Sequence, residues 1–188
     1  MNLEALRGLA QPDQRSCGPS TLVAARMLVD PEFASQVRSA PERFAREVLD
    51  LHRTVTRPTD ARGTLQLPWP RALGTPPWAV ARQLSTYAGP GLPAVTYGTT
   101  VVRFHDRAGL VARMQAATSA GRPVPFYVGN RWLPRHVVLA VEPTDSGLLV
   151  YNPARGTVGP MAASDFAAAT LSLGSWTTPW FVVLPDEG

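Results

Sequence analysis

Arg135-His136-Val137-Val138-Leu139-Ala140-Val141-Glu142, then Pro143-Thr144-Asp145-Ser146-Gly147, then Leu148-Leu149-Val150-Tyr151-Asn152-Pro153 reads as two apolar, β-branched runs joined by a polar turn. That pattern predicts an antiparallel hairpin. A turn centred near Thr144 would pair residues whose numbers sum to about 288, setting His136 opposite Asn152 with Cβ atoms about 5 Å apart. A slip of one residue would change the partner, so the pairing depends on the length of the turn. On one face, Asn152 can fix the imidazole tautomer through one ring nitrogen and leave the other to face a thiol.

Working outward, further short apolar runs separated by turns predict strands at Val124 to Val128 and Trp180 to Leu184. Upstream the signals are helical. They comprise a short N-terminal segment, the apolar run Ser20 to Val29, Pro41 to Val55 with Phe44, Val48 and Leu51 on one face, Pro76 to Ala88, and Asp106 to Ser119 ended by Gly121. Residues Arg57 to Pro93 are rich in Pro, Gly and Trp, and outside the Pro76 helix they read as ordered loop. The expectation is one α+β domain over 1–188, with a mainly helical part at 1–121 and an antiparallel sheet part at 122–188. No internal repeat or flexible interdomain linker is visible.

The chain's only cysteine lies in Gln11-Pro12-Asp13-Gln14-Arg15-Ser16-Cys17-Gly18-Pro19-Ser20, at the first turn of the Ser20 to Val29 helix. Unpaired N–H groups and the positive end of the helix dipole converge there, and both favour a thiolate. Singly, each residue has a plainer reading: Cys17 as a small buried apolar group, His136 as structural, Asn152 as a turn residue before Pro153, and Gln11 as surface. Their joint occurrence at a helix start and in a hairpin points to thiol chemistry. His105, beside Asp106, is the rival base, and His52 reads as surface or packing. Trp69, Trp78 and Trp132 invite either core packing or a cleft wall, and Trp132 lies in the loop just before His136.

Composition bounds the alternatives. With 188 residues, 45% hydrophobic and 17% charged, the chain can bury one substantial core. A single cysteine leaves no intrachain disulfide, and His52, His105 and His136 are too scattered to join it as zinc ligands, so no metal and no cofactor is expected. The net charge of +4 comes from arginines dispersed among acidic residues, which argues against nucleic acid as a partner. No long apolar stretch or signal peptide is visible, so no membrane association is expected; the compartment is open between cytoplasmic and exported by a non-classical route.

These residues resemble the papain-like cysteine peptidases, most closely the bacterial C39-like branch. The likeness rests on Gln11 and Cys17-Gly18-Pro19, on Pro123-Val124 and His136-Val137-Val138, and on Tyr151-Asn152-Pro153-Ala154-Arg155-Gly156, in the group's chain order. It covers Gln11 to Arg26 and Arg122 to Phe166, and includes a short helix at Ser164 to Thr170 after the Asn-Pro turn. The C39-like branch usually has Asp where this chain has Asn152, and often Asp where it has Ser16; Asn at the orienting position is the papain-type choice.

The resemblance implies a papain-like fold, with a helical lobe packed on an antiparallel sheet lobe. It implies Cys17 as nucleophile, His136 as general acid and base, Asn152 as the residue orienting His136, and Gln11 as a donor to the oxyanion. The expected activity is hydrolysis of peptide bonds in a protein or peptide substrate through a thioester acyl-enzyme. Alternatives are a deamidase or acyl transferase acting as a secreted bacterial effector toxin with an inhibitory or immunity protein as partner, and an inactive peptide-binding module.

Overall fold

The computed structural model describes residues 2–40, 42–55 and 74–186. The expected loop at Leu67 to Pro70 with Trp69, and the Pro41 helix start, lie outside the described residues. A 3-10 turn at Leu3–Leu6 precedes α1 (Cys17–Val29), α2 (Pro31–Arg38), α3 (Arg43–Val55) and α4 (Pro77–Leu84). Then come β1 (Tyr97–Val101), α5 (Arg107–Ser119), β2 (Val124–Gly129), β3 (Pro134–Thr144), β4 (Gly147–Asn152), β5 (Thr157–Ala162), α6 (Ala163–Ala168) and β6 (Thr178–Pro185). The protein is α+β, with one six-stranded antiparallel sheet in the order β1-β6-β2-β3-β4-β5.

Alternation along the strands feeds two cores, one on each face of the sheet. Val137 and Leu139 of β3, Tyr127 of β2 and Val183 of β6 pack with α1, α3 and α4. Val138 and Ala140, Phe126 and Val182 turn the other way onto α5 and α6, where Phe126 meets Phe166 edge-on at 5.9 Å. Both faces are therefore covered, which explains the near-continuous apolar runs of β2 and β3. α1 reads as apolar almost all round because it is clamped between β3 and the helices α2, α3 and α4.

The division into a helical and a sheet part is less clean than expected. β1, from the helical part, forms one edge of the sheet by pairing with β6, and α5 lies on the face opposite α1. The helix expected over Pro76 to Ala88 ends at Leu84, where Ser85 Oγ donates to the Ala81 carbonyl at 2.8 Å. One α-helix and two strands went unread in the sequence: α2, capped by Asp30 accepting from the Phe33 N–H at 2.9 Å, and the edge strands β1 and β5.

The hairpin differs from the expected register. Its turn is Asp145-Ser146, with Thr144 opposite Gly147, so the pairing sum there is 291. Left alone, that odd sum would place His136 and Asn152 on opposite faces. A bulge intervenes between Ala140 and Glu142, where Val141 is the extra residue, and beyond it Ala140 faces Val150 and Leu139 faces Tyr151. The sum becomes 290, Asn152 aligns with Val138, and His136 becomes its diagonal neighbour on the same face. The expected meeting thus survives through an even register two residues away from the one expected.

The β2–β3 connection is equally tight. A Cβ on Gly129 would lie 2.0 Å from the Leu133 carbonyl oxygen, so only glycine permits this closure. Gly129→Ala is expected to lower stability by roughly 2 kcal/mol through forced backbone displacement, a loss that urea unfolding would measure.

Candidate functional site

α1 begins at Cys17 because the apolar run leaves no alternative burial for it, yet its first turn is not capped by a side chain: Ser16 Oγ is instead turned back to the Asp13 carbonyl at 3.3 Å. The turn meets β3 at one residue. Thr21 Oγ1 donates to the Val137 carbonyl at 3.4 Å, and the Val137 N–H favours negative charge on the Cys17 sulfur, as do the N–H groups of Cys17 and Gly18. Residues 17 and 21 are one helical turn apart, so the same edge of α1 faces the backbone of the residue that follows His136.

His136 is almost fully buried, and its Nε2 lies 2.9 Å from Asn152 Oδ1. The same oxygen accepts from the Ala154 N–H at 3.0 Å. A backbone N–H can only donate, so the Asn152 atom facing both groups must be its oxygen. Nε2 therefore carries the proton, and in the neutral ring the lone pair sits on Nδ1. The Asn-Pro turn thus sets the tautomer of the imidazole through an interaction two residues beyond Asn152.

Gln11 is tied to that turn. Its N–H donates to the Pro153 carbonyl at 2.8 Å, Gly8 N–H donates to Gly156 at 2.8 Å, and the Tyr151 hydroxyl donates to the Leu9 carbonyl. Its side-chain Nε2 donates to the Asp13 carbonyl at 2.6 Å, while Oε1 is buried without a partner among the described residues. One of its two amide hydrogens remains for another acceptor.

Gly74 lies beside the sulfur and Thr75 against Gly18, contacts that sequence reasoning missed. A Cβ on Gly74 would be 3.9 Å from Cys17 Sγ, and one on Gly18 would be 2.6 Å from Thr75 Oγ1. Gly74 has φ +75°, so glycine suits its conformation. Tyr127 holds the segment by donating from its hydroxyl to the Thr75 carbonyl at 2.8 Å. The sequence signal was present only as Gly74 in a Pro-rich stretch.

The four sequence-predicted residues lie at one end of the sheet and are linked pairwise: Cys17 to the backbone of Val137, His136 to Asn152, and Gln11 to Pro153. The His136 side chain shares the face of Val138, whereas Val137 and Cys17 belong to the core on the α1 side. Among the described residues Cys17 and His136 form no hydrogen bond with each other. The rival His105 is elsewhere, exposed, with Nδ1 donating to the Val101 carbonyl at 2.9 Å. Trp78 packs partly buried against the α1-side core, whereas Trp132 is exposed. A groove lined by Ala5, Met27, Leu28 and Arg38 lies near the other end of α1, with Leu28 roughly 16 Å along the helix from Cys17. Among the described residues no cluster of three or more His, Cys, Asp or Glu could hold a metal ion, and no helix is long and apolar enough to cross a membrane.

Burial sets the resting protonation. Desolvation pushes the Cys17 thiol above its ordinary 9.0, against the three backbone N–H groups. Desolvation also lowers His136 below its ordinary 6.5, against the Asn152 hydrogen bond. Both groups rest neutral. An imidazole depressed on folding contributes stability above pH 6.5 that is lost as pH falls through its folded value; a thiol raised on folding contributes stability below pH 9.0 that is lost as pH rises towards its folded value. Thermal unfolding midpoints are expected to be highest between these limits. Cys17→Ala should flatten the decline between pH 9.0 and 10.0, below the range where tyrosines add their own.

Compared with protein-family models, with curated proteins and with solved structures, the chain matches none of them.

Proposed function

We propose that the protein is a papain-like cysteine peptidase, hydrolysing peptide bonds with Cys17 as nucleophile and His136 as general base and acid. The observation that carries this reading is the tautomer lock: Asn152, fixed by the Ala154 N–H, holds the proton on Nε2 and presents Nδ1 as the base. The residue next to His136, Val137, supplies an N–H that favours negative charge on the Cys17 sulfur. Catalytic hydrogen bonds are commonly long before substrate binds, so an unmade thiol–imidazole bond is compatible with this role.

In the reaction, Nδ1 takes the Cys17 proton and the thiolate sulfur attacks the amide carbonyl carbon. The three backbone N–H groups near the sulfur stabilise the thiolate that burial otherwise disfavours. Negative charge then grows on the carbonyl oxygen, where the Cys17 N–H and the uncommitted hydrogen of the Gln11 amide act as donors. Protonated His136 delivers its proton to the amine nitrogen, the C–N bond breaks, and a thioester remains on Cys17. Water, deprotonated by Nδ1, attacks the thioester and releases the acid and the free thiol.

A cleavage-site profile of proteome-derived peptides, read by mass spectrometry, tests this reading. Wild type is expected to generate new termini that are absent with Cys17→Ala and reduced at least about 10³-fold with His136→Ala. Gln11→Ala is expected to lower kcat about 10²-fold with a smaller change in KM. Products heavier by about one dalton, or carrying an added acceptor, would replace hydrolysis by deamidation or transfer. No Cys17-dependent product would leave a binding module.

A further inference from the structure

The fold collects charge that is dispersed in the sequence. Val101 pairs with Phe181, Phe181 with Tyr127 and Tyr127 with Val137, so these residues mark one row across the sheet towards its Cys17 end. Beyond this row lie the turn after β1, the β2–β3 loop, the Asn152-Pro153 turn and the segment leading into α1. Six arginines share that end: Arg15, Arg103, Arg107, Arg131, Arg135 and Arg155. Among the described residues the carboxylates there that stand outside an ion pair are Asp13 and Asp106. Both are engaged locally, Asp13 by the Arg15 N–H at 2.8 Å and Asp106 by the Gly109 N–H at 2.9 Å.

Arg7, Arg26, Arg43, Arg46 and Arg53 pair with carboxylates of their own helix or turn. Arg107 donates to the Ala167 carbonyl at 3.1 Å. The other five arginines of the Cys17 end are exposed and form no ion pair among the described residues. The opposite end of the strands carries Glu142, Asp145 and Asp186 beside Arg82 and Arg122. The molecule is thus electrically polarised along its strands, positive at the Cys17 end, and such a field draws an anionic partner to that end first.

The exposed apolar side chains gather at the same place. Phe104 at 69%, Trp132 at 68% and Leu133 at 39% are the large apolar residues left exposed among the described residues. Arg103 stacks over the Phe104 ring at 4.4 Å, and Arg131 over the Trp132 ring at 4.3 Å. Three strand spacings, about 14 Å, separate the parent strands β1 and β3 of these two pairs. Each pair is carried on a turn closed by its own hydrogen bonds. Asn130 Oδ1 accepts from the Trp132 N–H at 2.8 Å and the Leu133 N–H at 2.9 Å, and the His105 N–H donates to the Val102 carbonyl at 3.1 Å. Little ordering therefore remains to be lost when a partner docks.

We propose that this end of the sheet is a docking face for an acidic polypeptide segment whose carboxylates are interleaved with aliphatic or aromatic side chains. A guanidinium stacked on a ring offers a cation and an apolar surface at one spot, and a carboxylate beside an apolar side chain satisfies both. Exposed aromatics and arginines with few acidic residues are also the composition that protein interfaces favour. A bilayer would call for rings projecting ahead of the charges, whereas each ring here is covered by its own arginine. Nucleic acid would use the arginines and rings but gives the aliphatic Leu133 no role. A second copy docked through the same face would set arginine against arginine. The docking face stands whether or not Cys17 is a nucleophile.

The probe is a fluorescein-labelled synthetic peptide alternating Glu with Leu and Phe, read by anisotropy against wild type and against Cys17→Ala, where thiol chemistry cannot consume it. Binding is expected with both, falling as salt rises and at least about tenfold weaker when Gln replaces every Glu of the peptide. Arg103→Gln combined with Arg131→Gln is expected to weaken it about tenfold, and Phe104→Ser combined with Trp132→Ser by a similar factor. These side chains are exposed, so unfolding midpoints should stay at the wild-type value. Arg43→Gln combined with Arg46→Gln removes the same charge from α3 and should bind as wild type. Equal loss in that α3 variant, equal affinity for the Gln peptide, preferential binding of oligothymidylate or of phosphatidylserine vesicles, or self-association of the chain through this face each overturns the proposal.

Discussion

The first turn of α1 is fastened to one residue of β3, and the rest of the site is arranged around that attachment. Val137 accepts from the Thr21 hydroxyl through its carbonyl, and its N–H favours negative charge on the Cys17 sulfur, so the helix docks on the strand at this residue. Because Val137 follows His136, the imidazole inherits its position from the same contact. Burial of Leu22, Val23, Ala24 and Ala25 around the helix then makes the placement costly to undo, since each apolar side chain removed from water adds to the same docking.

That attachment carries a cost in charge. A dry first turn stabilises neutral sulfur and neutral imidazole, and only three backbone N–H groups oppose the burial of a thiolate. The protein offsets the loss of water by geometry fixed in advance: the ring's proton is assigned by Asn152 and Ala154, and Gln11 is laced to Pro153 by its backbone. Such preorganised dipoles need no rearrangement when charge develops, which is why they can be effective where solvent is excluded.

Much of this was legible in the residues, and the failures have physical causes. The Cys17 helix, α3, α5 and the four strongest strands declare themselves because a fully covered sheet and its central helix need long apolar runs. β1 and β5 escaped notice because they are edges, half exposed, with Gly98 in one and Gly159-Pro160 in the other. α2 is only eight residues long, although Asp30-Pro31 is a readable start signal. The bulge at Val141 was illegible because Val137 to Val141 is one unbroken apolar run, so no change of hydrophobic phase marks it before Glu142. The pairing of His136 with Asn152 was therefore reached from a register that does not occur. Thr75 and Tyr127 were invisible because their importance lies in contacts across 52 residues, which no local pattern encodes.

The strand order has a bearing on how the chain comes to be assembled. β6, the last strand in chain order among the described residues, is inserted between β1 and β2 and completes the ladder for both. Until it arrives, β1 has no partner and β2 presents a bare edge to solvent, so during synthesis the hairpin β2–β3 can form while the sheet stays open on one side. Closure by a late, distant segment raises the sequence separation of the final contacts and delays the cooperative step. Full order is then reached only after the polypeptide has been made through β6, which ties completion of the fold to completion of that stretch of translation.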